Sequence, residues 1–402
     1  MSSRKTSFST FQGYLKWQRQ QSTASFITRW CRYGLMSLQA RLKDSSVEIT
    51  PEPIDILFLR RSVKTLTFDD ITAHFPATIT HKSILQAKPT EAISKRFLRR
   101  TSLSHTSINF YVLASYVQYL LDFYQPKIVV TESNGAETSP VLRTMANDRG
   151  IKVVHIAHSI PTRNYRKFSL VDYDYYFLYG KSSIDNLKQR AFLYGRDTYC
   201  VQTGARAVFS RLNTSQIPTA VERNANTVLL LGSGPGHEEK DEIRQVYQSA
   251  ISFVNANPRM TLLFKPHPRS NKQLWHSLTQ QLEPARFRLI EDLGASHQAA
   301  VAICGYTNAI LDVSILGIVP LLVSTADNED YFCYEQYLGR ILNQPSELEL
   351  RFKAIATELE HFQQKTRQFA QYHVGDINAP SALIAVNLQK ILNKEALTAE
   401  LI

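Results

Sequence analysis

Cysteine is scarce and scattered. Cys31, Cys200, Cys304 and Cys333 are the four in 402 residues, with no CxxC pair. No disulfide framework is expected, and a reducing compartment fits best. No cluster of His, Cys and carboxylate has metal-ligand spacing, so no metal is expected either. No apolar run reaches the roughly 20 residues of a membrane span. The apolar residues at the N-terminus are broken by charges, unlike a signal peptide, so the expectation is a cytoplasmic chain. Short-period repeats and low-complexity tracts are missing too. Acidic residues are absent before Asp44, whereas Arg4, Lys5, Lys16, Arg19, Arg29, Arg32, Arg41 and Lys43 precede it. The net charge of +11 therefore sits largely at one end. A nucleic-acid binder more often spreads its basic surface over the fold. A nucleic-acid partner is not expected; a docking element is.

Among those basic positions, residues 14–43 carry Tyr14, Leu15, Trp17, Phe26, Ile27, Trp30, Tyr33, Leu35, Met36, Leu38 and Leu42. The spacing suits one or two amphipathic helices with aromatic anchors. They would either lie in an anionic membrane interface, making residues 1–43 a peripheral membrane element, or pack on the protein's own body.

A chain of this length exceeds one ordinary core, so two domains are expected. The first strand is read at Ile54–Leu59. A helix over Thr106–Tyr124 ends at Gln125-Pro126. The strand Lys127–Thr131, the helix Ser139–Arg149 and the strand Ile151–Ile156 make a right-handed βαβ unit. Strands at Tyr175–Leu178 and Tyr199–Gln202 flank a helix at Ser183–Tyr194. Residues 205–226 are polar and turn-rich, and the linker is placed there. The grammar then restarts. Strands fall at Thr227–Leu231, Thr261–Phe264, Arg286–Ile290, Ala299–Cys304 and Val319–Val323, with helices between them and a helical end from Pro345. The domains read as a basic helical extension at 1–46, a first α/β domain at 47–212, a linker at 213–226, a second α/β domain at 227–380 and a C-terminal helix at 381–402. Two successive α/β halves predict two Rossmann-like domains facing each other across a cleft.

The second half gathers groups suited to phosphate. Thr261–Phe264 stops at Lys265-Pro-His-Pro268, because neither proline can donate to a ladder. At the carboxyl end of a parallel strand, Lys265, His267 and Arg269 read as an anion site, or as a solvated basic terminator. The loop Gly232–Gly236 (GSGPG) offers bare backbone N–H groups at Gly232, Ser233 and Gly234. It lacks the Lys-Ser/Thr of a P-loop. Thr307 and Asn308 sit where a helix begins, as phosphate ligands or as a simple cap. In the first half, His158 follows a buried strand and suits a general base, with Glu132 and Glu137 in the adjacent loop as alternatives. His155 lies deeper and reads as structural. Asp172-Tyr-Asp174 sits at the wrong end of a strand for ligands and reads as a turn.

In order, His158-Ser-Ile-Pro161, Gln202-Thr-Gly-Ala205, Val228–Gly232, Lys265–Pro268, Gly305-Tyr-Thr-Asn-Ala309 and Gly317-Ile-Val-Pro320 resemble the bacterial GT-B glycosyltransferases of cell-surface polysaccharide synthesis that carry a His-Pro motif. These include teichoic-acid glycerophosphotransferases and the capsule sialyl- and Kdo-transferases. The resemblance spans about Lys127 to Tyr331. It implies a metal-independent transferase of GT-B fold that needs no cofactor. Its donor would be a nucleotide sugar, with a CMP-linked acidic sugar among the candidates, and its acceptor a surface glycan or glycoconjugate. The resemblance puts the donor phosphate on His267 and Thr307, with Asn308 beside it; Lys265 and Pro268, from the same Lys-Pro-His-Pro stretch, are read as donor-binding with them. It makes His158 the base or a lining residue of the acceptor site, or else gives the base to Glu132 or Glu137. One base acting alone would invert the sugar. Three departures stand out: Ser159 in place of the usual Gly, Ala205-Arg-Ala207 without Pro-Arg-Asn, and Thr307-Asn308 in place of paired serines. They argue against a plain glycerophosphotransferase. A nucleotide-sugar epimerase shares the architecture, and a non-catalytic, membrane-docked homologue would keep it.

Overall fold

The computed structural model describes the chain except residues 1–6, 44–48, 63–66, 133–137, 161–170, 191–196, 211, 213–222, 235–237, 297, 325–329, 331, 345 and 376–378. The described strands are β1 (Ile56–Arg60), β2 (His81–Leu85), β3 (Ile128–Thr131), β4 (Lys152–Ile156), β5 (Tyr175–Leu178), β6 (Tyr199–Gln202), β7 (Asn224–Leu231), β8 (Thr261–Lys265), β9 (Phe287–Leu289), β10 (Ala299–Cys304), β11 (Val319–Leu322) and β12 (Glu400–Leu401). The chain divides into two compact units, residues 1–204 with 378–402, and residues 205–377.

The first unit is built on a seven-stranded sheet of order β12-β6-β5-β4-β3-β1-β2. All its pairings are parallel except β12 on β6. β3 (IVVT) is buried throughout and β1 (ILFLR) is buried to its penultimate residue. Such unbroken apolar runs belong to strands covered on both faces. The helix Tyr111–Tyr124 stops where Gln125 turns left-handed (φ 42°), one residue before Pro126; that proline disfavours further helix at its neighbour. β2 was not read from the sequence. It is an edge strand of His-Lys-Ser-Ile-Leu, half-exposed along its length, and carries no apolar signal.

The N-terminal helices Ser7–Gln21 and Thr23–Lys43 pack their aromatic residues on the protein's own body, one of the two readings the sequence left open. Their aromatic residues are not surface anchors. Phe11, Tyr14 and Trp17 are buried. Phe11, Trp30 and Tyr33 surround Phe110 at centroid distances of 5.4, 5.6 and 4.9 Å. The Ser37 hydroxyl donates to Asn109 O (2.9 Å) and accepts from Val112 N (3.1 Å), stitching the second helix to the start of Tyr111–Tyr124. Residues 1–46 are therefore not an appended extension: their described part is folded into the first unit.

The division at 204/205 also differs from a linker at 213–226. Ala205 N donates to Val374 O (3.1 Å), and the short helix Arg206–Phe209 goes with the second unit. Of the supposed linker, 213–222 lie outside the described residues and Asn224–Asn226 begin β7. The C-terminal helix Pro380–Leu392 belongs to the first unit. Ile384, Ala385, Leu388 and Ile391 recur at helical spacing and complete a core with Ile56, Phe58, Phe68 and Val130.

The second unit carries a five-stranded parallel sheet of order β11-β10-β7-β8-β9. In chain order this is the doubly wound 3-2-1-4-5 arrangement read from β9, and its topological switch lies between β7 and β10. The helices Asp241–Ala256, Lys272–Thr279 and Glu347–Thr357 bury Val246, Tyr247, Ile251, Trp275 and Phe352 against Val228, Leu230, Phe264 and Ile303. In the first unit the order places the corresponding switch between β1 and β3.

Candidate functional site

In a doubly wound sheet, ligands settle outside the carboxyl ends of the strands at the switch. In the second unit β10, β7 and β8 are neighbours and parallel, so the residues after Cys304, Leu231 and Lys265 leave the same sheet edge. Those are the three stretches singled out in the sequence.

The tightest contact there is between backbones. Gly232 N donates to Lys265 O (2.9 Å), and a Cβ on Gly232 would lie 2.8 Å from His267 N and 3.0 Å from Pro266 Cα. Only a glycine lets the end of β7 run this close to the Lys-Pro-His segment. A Cβ on Gly305 also meets an atom at 2.8 Å, but that atom is the Ile243 Cδ1 methyl, which can rotate. Gly232→Ala should therefore destabilise the second unit by about 1–3 kcal/mol, the usual cost of overpacking, and Gly305→Ala by less. Urea denaturation of the two variants checks this; equal midpoints would refute the backbone argument.

His267 is positioned by its neighbours. Its Nδ1 accepts from Arg269 N (3.1 Å) and its carbonyl accepts from Ser270 N (2.8 Å). With Nδ1 engaged as an acceptor, the neutral ring carries its proton on Nε2. Gly234 lies against this ring, its Cβ position 3.7 Å from Cε1 and Nε2. Desolvation, then the charges of Arg269 and Lys265, lower the His267 pKa, while Glu238 pulls it up. The ring is thus held as a neutral Nε2–H donor. Lys265 donates to Pro266 O (3.2 Å). Desolvation lowers its pKa against the opposing charges of Asp292, Asp312 and Glu291. Asp312 is on the helix Ala309–Ile315, so Lys265 and that helix share one electrostatic neighbourhood. Thr307 Oγ1 accepts from Ala309 N (3.4 Å), a weak cap for that helix, and Asn308 is exposed. Ser233 is buried; its N donates to Tyr247 Oη (2.7 Å), and its Oγ has no hydrogen-bond partner among the described residues. Pro268 is exposed and shapes only the backbone after His267.

In the first unit, His158 follows β4 at the same sheet edge as the end of β3. Its surface is open to solvent but crowded by protein. Desolvation first, then the charge of Arg61, lower its pKa. Arg61, just past β1 at the switch, was not recognised in the sequence; its place at the end of a buried strand was the available signal. His155 is structural: it is buried, stacked on Tyr173 at 4.3 Å, and burial drives its pKa well down. Glu132 is half-buried at the end of β3, and Glu137 lies outside the described residues.

Asp172 and Asp174 are more than a turn. Asp174 Oδ2 accepts from Val153 N (2.7 Å) and Asn147 Nδ2 (2.8 Å), and its Oδ1 faces Arg143 Nη2 at 3.6 Å. This carboxylate is a clamp at the entry of β5. Asp172 is fully buried, and burial pushes its pKa up to about 8.

The family model described as alpha-2,8-polysialyltransferase (POLYST) matches residues 112–295, a little under half the chain and covering parts of both units. No curated protein matches by sequence. Among solved structures, a putative UDP-N-acetylglucosamine 2-epimerase from Listeria monocytogenes superposes with a TM-score of 0.56 at 11% identity, over 87% of this chain and 100% of its own. S. aureus MnaA, in a co-structure with UDP, gives 0.54 at 10% identity, over 85% of this chain and 97% of its own. UDP-GlcNAc 2-epimerase from Neisseria meningitidis, bound to UDP-GlcNAc, gives 0.50 at 14% identity, over 84% of this chain and 100% of its own. At such identities the likeness shows the fold, which is GT-B. The chain therefore has the GT-B fold and is similar over its middle to the alpha-2,8-polysialyltransferases.

Proposed function

We propose that the chain moves a sugar from a nucleotide-activated donor, a CMP-linked acidic sugar of the sialic acid or Kdo kind, onto a glycan or glycoconjugate acceptor without a metal ion. The observation that carries the reading is His267, fixed as a neutral Nε2–H donor at the carboxyl end of β8, next to the switch strand β7 and beside Gly234 and Lys265. In the reaction the bond from the anomeric carbon to the phosphate oxygen breaks and the acceptor oxygen takes its place. The departing phosphate gains charge; Lys265, His267 Nε2–H and the Thr307 hydroxyl stabilise it where another enzyme would use a metal. The acceptor proton goes to a base from the first unit. His158 is the first choice, with Glu132 and Glu137 as alternatives. An inverted product follows from a single base.

A thermal-shift panel of CMP, CDP, UDP and GDP tests the donor, since a ligand that binds only the folded chain raises its melting temperature. CMP should give the largest shift. Interconversion of a nucleotide sugar without acceptor would make the chain an epimerase. No shift with any nucleotide would make it a non-catalytic homologue. For the base, His158→Ala should lower kcat by about 10²–10⁴, and Glu132→Gln far less. His158 must be neutral to accept a proton and its pKa is lowered, so activity should persist below the ordinary histidine range before its acidic limb appears. An acidic limb at or above that range would exclude His158.

The partner we assign to the helix Thr23–Lys43 is an anionic membrane surface. With its aromatics turned inward, the helix shows solvent an aliphatic stripe: Ile27, Leu35, Leu38 and Leu42 are 54, 68, 59 and 80% exposed. At about 100° per residue these four fall within an arc of about 80°. Arg29, Arg32 and Lys43 are exposed on the same helix, and no acidic residue precedes Asp44. Apolar contact flanked by cations suits a phosphatidylserine-rich surface. No described helix is long and apolar enough to cross a membrane. The full chain should sediment with phosphatidylserine vesicles and not with phosphatidylcholine ones, and Leu38→Glu with Leu42→Glu should abolish this. No sedimentation of the unaltered chain would exclude the assignment.

A further inference from the structure

We infer that Glu238 is the positioning residue of the donor site, resting on the reading of that sheet edge as the place where the donor phosphate binds. Glu238 is 1% exposed, a buried carboxyl a few residues from groups meant for an anion. Its hydrogen bonds explain it. Oε1 accepts from Ser270 Oγ (2.6 Å) and faces Tyr247 Oη at 3.5 Å, and Oε2 accepts from Asn271 N (3.2 Å). Tyr247 Oη in turn accepts from Ser233 N, and Glu238 N donates to Gly234 O (3.1 Å). One side chain therefore ties the glycine loop after β7 to the turn after β8. Ser270 and Asn271 close the turn that begins at His267 and delivers Arg269 N to its Nδ1. Groups on two loops cannot stay aligned to about half an ångström unless something holds the loops together. Beside the backbone bond from Gly232 N to Lys265 O and the weak donation from Ser270 Oγ to Ser233 O (3.4 Å), Glu238 is the charged side chain that fixes the turn, and we assign to it the hold that keeps the His267 proton on Nε2. The carboxyl touches no substrate; it acts through Ser270, Tyr247 and the backbone.

The test reads His267 directly, in the full chain without ligand. Nitrogen-15 NMR distinguishes imidazole tautomers and follows their titration, with the His267 signal assigned by its loss in His267→Ala. In the unaltered protein the neutral ring should be the Nε2–H form. In Glu238→Gln the proton should redistribute toward Nδ1. The midpoint should also move to lower pH, because the charge opposing Arg269 and Lys265 is gone. Ser270→Ala, a milder change that should still fold, is expected to shift the tautomer without removing a charge. In both variants kcat at saturating donor should fall about tenfold or more, the loss from one hydrogen bond to a charged group, while donor KM changes less, the pattern of an interaction that strengthens only as charge develops. A tautomer and midpoint identical to the unaltered protein in both variants overturns the inference. Failure of the unaltered protein to bind any nucleotide removes the donor-site reading instead, and the His267 signals still decide whether Glu238 positions the ring.

Discussion

His267→Ala is expected to lower kcat by roughly 10²–10³, the usual loss when one preorganised donor to a developing anion is removed. The reasoning starts from the tautomer. Nδ1 is occupied by Arg269 N at 3.1 Å, so only Nε2–H remains to point outward. The ring sits against Gly234, and desolvation keeps it neutral. A neutral donor in a partly desolvated place needs no proton transfer and little reorientation when the phosphate departs. Alanine removes the donor and leaves the fold, because the amide it orphans belongs to exposed Arg269 and can turn to water. Donor KM should change less than kcat, since the interaction strengthens only as charge develops. His267→Asn, which offers an N–H from a shorter side chain, should recover part of the loss. Single-turnover rates on the three proteins check this. An alanine variant with an unaltered rate would remove His267 from the site.

The parts of this site visible in the sequence were those where local chemistry dictates local structure. Two prolines after Phe264 can end a strand in only one way, and the Lys before the first and the His between them must emerge at its carboxyl end. Gly232 reads as a turn glycine, although its true reason, the backbone of Pro266 and His267 at about 3 Å, is a long-range fact no window of sequence holds. The order of the strands, and with it the switch, was equally invisible. β2 hid because an edge strand of His, Lys and Ser has no apolar period. The helix Pro380–Leu392 reads as amphipathic, but nothing in it says that its partners are Ile56 and Phe58, more than 300 residues upstream. The N-terminal aromatics left two readings open. A Trp or Tyr at helical spacing fits a membrane interface or a core equally well, and only Phe110 decides. Glu238 and Arg61 look like ordinary surface charges until strand order brings their loops beside His267 and His158.

Asp174→Ala should cost about 3–5 kcal/mol, the penalty for removing one partner of a buried ion pair, which approaches the whole stability of an ordinary domain. Asp174 is 9% exposed and serves three donors at once: Val153 N, Asn147 Nδ2 and Arg143. Its removal orphans a backbone amide at the start of β4. It also leaves the Arg143 side chain, 11% exposed, with Asp197, whose own side chain is 82% exposed. Asp172, two residues earlier, should behave in the opposite way. Its carboxyl is buried, with neither oxygen partnered among the described residues, and its pKa is raised from 3.8 to about 8. Between those two values the folded chain holds a proton that the unfolded chain has released, so this group's contribution to stability falls as pH rises. Asp172→Asn removes that slope, and its stability relative to the unaltered chain should improve steadily from about pH 5 to about pH 8 and then level off. Urea denaturation at several pH values separates the two cases: Asp174→Ala should lose stability at every pH, whereas Asp172→Asn should gain ground as the solution becomes more alkaline. Parallel curves for Asp172→Asn and the unaltered protein would mean that the Asp172 carboxyl is not held protonated. A small, uniform loss in Asp174→Ala would mean that the clamp at the entry of β5 is not what aligns β4 with β5.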